Sequence, residues 1–189
     1  MTDALGAPAA RPGAGHYGMG AIALHWSMAL LIVVVGVLGL LHDSWPRATQ
    51  AFWINIHAMI GLIVLALVIA RVWWRRTHRP PDLPPHIGEF SRRLSYPVHI
   101  LLYVLLLIIP LVGIVTFVFH SRVFDFGLFK LDPGVKMDRA IFHPTEDLHG
   151  YLAYALFALA GLHAAAALWH HFIQRDGVLL RMWPGERRG

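Results

Sequence analysis

Four histidines lie in, or just inside the ends of, four long apolar segments: His25, His57, His149 and His163. Ionisable side chains are costly inside a bilayer, so a histidine in such a segment is a candidate functional residue. His149 and His163 are fourteen residues apart, close to four helical turns, so both lie on one helix face, about 21 Å apart along the axis. Imidazole ligates haem iron, and two histidines on different helices can hold one haem. Four histidines therefore predict two such pairs.

The segments that must position these histidines are long enough to cross a membrane. The chain of 189 residues is 57% hydrophobic and 14% charged, and a membrane-spanning helix needs about 20 mostly apolar residues. The candidate spans are roughly Ala21–Leu41, Phe52–Trp74, Tyr96–Phe119 and Leu148–Phe172. We predict an all-α integral membrane four-helix bundle over residues 17–184, between a disordered N-terminal tail (1–16) and a C-terminal tail (185–189).

Arginines concentrate in the second connection, which follows the second span, and in the segment after the fourth span, which carries Arg175, Arg181, Arg187 and Arg188. The first and third connections instead balance their cations with acids. The positive-inside rule then places both termini in the cytoplasm. This distribution explains the net charge of +5 by membrane topology and argues against nucleic acid as a partner.

With this orientation, the depths of the histidines match in pairs. His25 and His163 lie towards the cytoplasmic side, and His57 and His149 lie in the first turns of inward-running helices. We therefore predict His25 with His163 as axial ligands of one haem, and His57 with His149 as ligands of a second haem on the periplasmic side. A lone intramembrane histidine could equally hydrogen-bond a neighbouring helix, so the prediction depends on the pairing.

The chain contains no cysteine. This excludes thiolate-bound iron–sulfur clusters, covalently attached haem and disulfides, so any haem must be of the b type. Phosphate-binding loops, zinc-protease motifs and serine nucleophile elbows are also missing. A transporter that binds a metal ion through intramembrane histidines is an alternative, but it would need ligands converging at one depth.

Two further residues are candidates near the cytoplasmic side. His99 could be a spare ligand, a haem propionate contact, part of a quinone pocket, or simply an interfacial residue. Arg71 could contact a propionate or a quinone, or could act only as a positive-inside anchor. Two helix boundaries are also predicted from prolines. A short interfacial or helix-starting segment is expected at Ser91–Arg93, followed by Pro97 in the first turn of the third span, and Pro144 is expected at the start of the fourth.

Several short segments resemble the prokaryotic cytochrome b561 family. They are Ala23–Trp26, Asn55–His57 with Gly61–Leu62, Val98–Tyr103, Pro110–Gly113, Phe126–Phe129, Glu146–His149 with His163, and Arg175–Leu179. The resemblance covers roughly Tyr17 to Pro184. It implies a small four-helix cytochrome of the bacterial inner membrane, with two b haems on the four histidines above, that exchanges electrons with ubiquinone.

The resemblance leaves two kinds of function open. One is an enzyme that passes electrons from a small periplasmic donor to ubiquinone, and by family analogy superoxide is a candidate donor. The outer loop carries four cations that could attract such an anion or could merely solvate the loop: Arg122, Lys130, Lys136 and Arg139. The other is an electron-relay cytochrome b subunit of a larger hydrogenase or dehydrogenase. The expected partners are lipid, quinone, a small donor, and either a second copy of the chain or a redox subunit.

Overall fold

Four long helices make up most of the protein in this computed structural model, which describes residues 15–78, 80–82 and 87–184. The helices are α1 (Met19–Leu40), α2 (Arg47–Thr77), α3 (Glu89–Phe119) and α4 (Arg139–Trp169). All four are long and apolar enough to cross a membrane. The predicted all-α membrane bundle is therefore confirmed. Most of the predicted N-terminal tail (1–14) and the whole C-terminal tail (185–189) lie outside the described residues.

All four helices begin earlier than the predicted spans, and the difference is largest for α3 and α4. Helix α3 begins at Glu89, so Pro97 lies inside it and not in its first turn. Helix α4 begins at Arg139, where the Asp138 carboxylate accepts the Ala140 N–H at 2.9 Å, so Pro144 is also interior. Both predicted boundaries were wrong because a proline removes a single intrahelical hydrogen bond, and each of these helices of 31 residues continues through it.

The helices pack in chain order, α1 with α2, α2 with α3, and α3 with α4. A central layer draws buried side chains from every helix: Met28, Val64, Val68, Leu105, Leu106, Ile109 and Leu156. Many other large apolar side chains are exposed on the outside of the bundle, where lipid tails are as apolar as the side chains themselves. The central layer therefore separates two ends of the bundle, each with its own polar groups.

We call the end that carries the α1–α2 and α3–α4 connections the outer end. Here the strands β1 (Phe124–Asp125) and β2 (Lys130–Leu131) form an antiparallel hairpin. The Asn55 side chain fastens it to α2, donating to the Asp125 carbonyl at 2.9 Å and accepting the Asp125 N–H at 3.0 Å. The Gly127 N–H and the Lys130 ammonium hold the pKa of the Asp125 carboxyl below its usual value, so the turn keeps its ion pair at neutral pH.

The opposite end, the inner end, is closed by Arg181, which is only 5% exposed. This side chain follows α4 in a short 3-10 helix, Leu179–Met182. Its guanidinium donates to the carbonyls of Gly15 at 3.2 Å, Pro81 at 3.0 Å and Asp82 at 2.7 Å. We call these contacts the Arg181 clasp, because they join the segment before α1, the α2–α3 connection and the segment after α4.

Candidate functional site

The outer histidines face each other across the bundle, with His57 on α2 and His149 on α4. Their ring centroids are 5.9 Å apart and their planes are inclined by 72°. An imidazole nitrogen binds a first-row metal ion at about 2 Å, which places the ring centroids of two opposed ligands about 6 Å apart. The observed spacing therefore fits one iron held between the two rings.

Each outer imidazole is oriented by a backbone carbonyl of a neighbouring helix. His57 Nδ1 lies 3.0 Å from the Val35 carbonyl oxygen on α1, and His149 Nδ1 lies 3.0 Å from the Ile109 carbonyl oxygen on α3. A carbonyl only accepts, so in each ring Nδ1 carries the proton and Nε2 keeps a free lone pair. That is the tautomer in which Nε2 can ligate a metal, with its orientation fixed by the second hydrogen bond.

Two glycines allow the rings of His57 and His149 to lie close to the neighbouring helices. A Cβ added at Gly39 would lie 3.0 Å from His57 Cε1, and one at Gly113 would lie 2.9 Å from His149 Cε1. Each glycine follows the accepting carbonyl by four residues, one helical turn, so both sites repeat the same carbonyl-then-glycine arrangement. Sequence reasoning missed Val35 and Ile109, and the only available signal was a glycine one turn further along each apolar span.

A cavity of about 590 Å³ adjoins the outer histidines, within the range of about 300–1,000 Å³ typical of ligand pockets. Its walls include many small residues: Gly36, Gly39, Ala58, Gly61, Gly113, Gly150 and Ala153. No atom lies within 4 Å of a Cβ added at Gly61 or Gly150. The small walls leave room for a flat macrocycle, so the residues present fit a haem.

The outer mouth of this cavity is polar. It is lined by His42, Gln50, His120, Arg122 and Glu146. Among the four predicted outer cations, Arg122 lines the cavity, whereas Lys130 is paired with the Asp125 carboxylate at 3.0 Å. Burial lowers the pKa of the half-buried Arg122 guanidinium, and nearby Glu146 opposes that shift. Arg122 stays charged at neutral pH because arginine is effectively never deprotonated in proteins.

The inner histidines form a second cluster. His25 on α1 and His163 on α4 have ring centroids 6.4 Å apart and planes inclined by 78°, a spacing that also fits one iron. His99 on α3 lies closer to His163, at 5.1 Å, and its Nδ1 donates to the Ser95 carbonyl of its own helix at 2.6 Å. The rings of His25 and His163 make no hydrogen bond to any residue that the structure describes.

Arg71 lies beside this cluster. Its Nε donates to the Tyr103 hydroxyl at 3.0 Å, and its buried Nη1 has no hydrogen-bond partner within the described ranges. Tyr103 lies one helical turn after His99 on α3, so this bond places the guanidinium at the inner end of the bundle. Arg71 also lines a neighbouring cavity of about 300 Å³. The structure therefore brings both additional predicted residues, His99 and Arg71, to the inner pair.

Within residues 15–78, 80–82 and 87–184, no three His, Asp or Glu side chains are arranged to hold a bare metal ion. The ligand geometry that the described residues offer is instead a pair of imidazoles at each depth. Helix α4 contributes one ring to each pair, so it links the two positions along its length.

Comparison with known proteins agrees with this geometry. The sequence model of the family described as prokaryotic cytochrome b561 matches residues 16–185. Cytochrome b561 homolog 1 of Escherichia coli K12 is 28% identical over 86% of this chain and 94% of its own length. The probable superoxide oxidase CybB of Yersinia pestis is 29% identical over 88% and 94%, and cytochrome b562 of Cereibacter sphaeroides is 26% identical over 85% and 90%.

The family match spans nearly all of the described bundle, including the four facing histidines and both cavities. The chain therefore belongs to the prokaryotic cytochrome b561 family, as a multi-pass membrane protein that binds b-type haem and serves electron transfer.

Proposed function

We propose that the chain holds two b haems, one between His57 and His149 and one between His25 and His163, and carries electrons from a small donor at the outer end to ubiquinone. The observation that carries this proposal is the presence of two imidazole pairs at iron-spanning distances, 5.9 Å and 6.4 Å, that share helix α4. When bound, haem supplies reversible one-electron chemistry. The chain's own residues supply ligation, orientation and shielding from water.

Topology forms part of the proposal. The inner end, where the arginines of the α2–α3 connection gather, faces the cytoplasm, and the outer end faces the periplasm of a bacterial inner membrane. The domain extends over residues 17–184. His99 and Arg71 contact a haem propionate or the quinone at the inner end, supported by the unpartnered Nη1 of Arg71.

The proposed donor is superoxide. Each superoxide gives up one electron and leaves as dioxygen, and two such electrons with two protons reduce one ubiquinone to ubiquinol. Arg122 supports this choice, because a cation at the mouth of the outer cavity attracts a small anion. The name of the Yersinia pestis relative, probable superoxide oxidase CybB, supports it as well.

The test starts from the purified holoprotein, with haem counted by a pyridine haemochrome assay. We expect two haems per chain, and alanine at either His57 or His149 should remove the same haem and leave the other. Alanine at His25 or His163 should do the reverse. His143→Ala is the matched control, because this exposed histidine lies outside both pairs. One haem per wild-type chain, or loss of both from every variant including the control, would contradict the proposal.

A stopped-flow measurement then separates the enzyme from the relay subunit. Superoxide mixed with oxidised holoprotein should reduce the haem absorbance rapidly, and ubiquinone should reoxidise it. If superoxide fails while a partner redox subunit reduces the same protein readily, the relay function replaces the enzyme.

A further inference from the structure

The turn of the outer hairpin is apolar and exposed. We call residues Phe126–Phe129 the hairpin tip. Leu128 is 98% exposed, and Phe129 is exposed beside it. The Phe126 N–H donates to the Phe129 carbonyl at 3.0 Å, and the rings of these two residues stack with centroids 4.6 Å apart. The tip is therefore an ordered turn, and its apolar side chains would gain free energy in an apolar medium.

A contact with α2 fixes the depth of the hairpin tip. Phe124, at the base of the hairpin, is buried and packs on Phe117 of α3, with ring centroids 4.3 Å apart. The next residue, Asp125, makes two backbone hydrogen bonds to the Asn55 side chain of α2. Asn55 lies eight residues after Arg47, the first residue of α2, or about 12 Å along the helix axis. The hairpin is therefore attached to α2 at the depth where its apolar span begins, and the tip follows directly after this attachment.

An exposed apolar face of α2 lies next to this attachment. Phe52 and Ile63 are both exposed, and they lie on the same face of α2 because eleven residues make about three helical turns. Asn55 follows Phe52 by three residues, so the two are neighbours on the helix surface. In a helix that crosses a membrane, an exposed apolar face contacts lipid. The hairpin tip therefore adjoins a surface that lipid covers, and this continuity identifies lipid as its partner.

We propose that the hairpin tip inserts into the lipid leaflet at the outer end and anchors the outer loop there, with Leu128 and Phe129 at the boundary between headgroups and acyl chains. Leucine and phenylalanine are typical of protein segments that bind at this boundary. Asp125 and Lys130 flank the tip and form an ion pair at 3.0 Å. This pair limits the insertion to the boundary, because charges are costly in the hydrocarbon core. The inference goes beyond the proposed function, since it concerns contact with lipid and not haem.

The chain has no cysteine, so a single introduced cysteine gives a unique labelling site. Leu128→Cys is labelled with a nitrobenzoxadiazole fluorophore, and the holoprotein is reconstituted into phosphatidylcholine vesicles. We expect strong quenching by phosphatidylcholine that carries a nitroxide near its headgroup, and severalfold weaker quenching by iodide present on both sides of the bilayer. Asp43→Cys is the matched control, because Asp43 is exposed in the α1–α2 connection at the same end. Its label should show the opposite preference, and any insertion driven by the fluorophore itself would appear there too.

Two results would overturn the inference. Quenching of the Leu128 label by iodide as strong as in the control would place the tip in water. A label shielded from both quenchers would assign the tip to a protein contact, such as a second copy of the chain. If Leu128→Cys does not retain the haem spectrum, Leu131→Cys repeats the measurement, because Leu131 is exposed and shares a face of the hairpin with Phe129. The haem count tests the proposed function separately, so either idea can fail without the other.

Discussion

At the residue scale, the four histidines could be found from the sequence because an imidazole in a long apolar segment is conspicuous. Their orienting partners could not be found. Val35 and Ile109 contribute backbone carbonyls, and any residue type provides a carbonyl, so the interaction leaves no signature in side-chain chemistry. Only the relative placement of α1 against α2, and of α3 against α4, selects these positions.

The glycine that accommodates His149 gives a first prediction. Gly113→Ala would place a methyl group 2.9 Å from His149 Cε1, so the ring must move away from its carbonyl acceptor. We expect haem affinity at the outer site to fall by about tenfold or more, as for other losses of orienting contacts. The haem-to-protein ratio during titration of the apoprotein measures it. Gly161→Ala is the control, because no atom lies within 4 Å of its added Cβ, and an equal loss there would refute the steric explanation.

Arg122 gives a second prediction at this scale. Arg122→Gln removes the cation at the mouth of the outer cavity, so reduction by superoxide should slow by about tenfold at low salt and lose most of its salt dependence. Stopped-flow mixing at several ionic strengths measures both effects. Lys130→Gln should change the rate less, since Lys130 is exposed and already paired with Asp125. Equal slowing by the two variants would assign the effect to net charge alone.

At the scale of elements, the existence and order of the helices followed from apolar length, but the starts of α3 and α4 did not. The residues from Glu89 to Ser95 are mostly polar, so hydropathy excludes them from a membrane span even though they are helical. The Asp138 cap is recognisable only once the helix is known to begin there. Hydropathy therefore identifies the part of a helix that crosses the bilayer, and it underestimates the length of a helix that extends beyond the bilayer.

The outer hairpin gives a third prediction. Asn55→Ala removes both hydrogen bonds to the Asp125 backbone, leaving partly buried groups unpaired at a cost of about 1–3 kcal/mol. The hairpin should open more often, and its amides from 124 to 131 should exchange hydrogen faster. Thr49→Ala serves as control, because that hydroxyl donates to the Pro46 carbonyl, three residues before it on the chain, and not to the hairpin. Unchanged exchange in Asn55→Ala would mean that apolar contacts of Phe124 hold the hairpin without the amide.

At the scale of the whole molecule, the sequence predicted a four-helix membrane bundle with functional groups at two depths. It assigned Arg181 to the general excess of basic residues at one side. The structure gives this residue a different role, since its guanidinium joins three segments far apart in the chain. A count of charges cannot separate an anchoring arginine from a buried one, because burial depends on how the connections fold together.

The Arg181 clasp gives the fourth prediction. Arg181→Gln leaves the carbonyls of Gly15, Pro81 and Asp82 without their charged donor, and hydrogen bonds to charged groups contribute about 1.5–3 kcal/mol each. We expect a lower thermal midpoint in detergent and faster proteolysis at the inner end, with the absorbance of the outer haem retained. Arg76→Gln, at an exposed position on α2, controls for the loss of one charge. A thermal midpoint equal to that of the control would show that the Arg181 clasp does not stabilise the fold.

The same clasp has a consequence for biogenesis. Arg181 and the Gly15 carbonyl it binds are separated by 166 residues and by all four helices, so the ribosome must synthesise α4 before this contact can form. On the proposed topology, the nascent bundle enters the bilayer with its cytoplasmic face unsealed. If His25 and His163 hold haem as proposed, this interval leaves them open to the cofactor from that face, and it ends when the segment after α4 folds and the clasp forms.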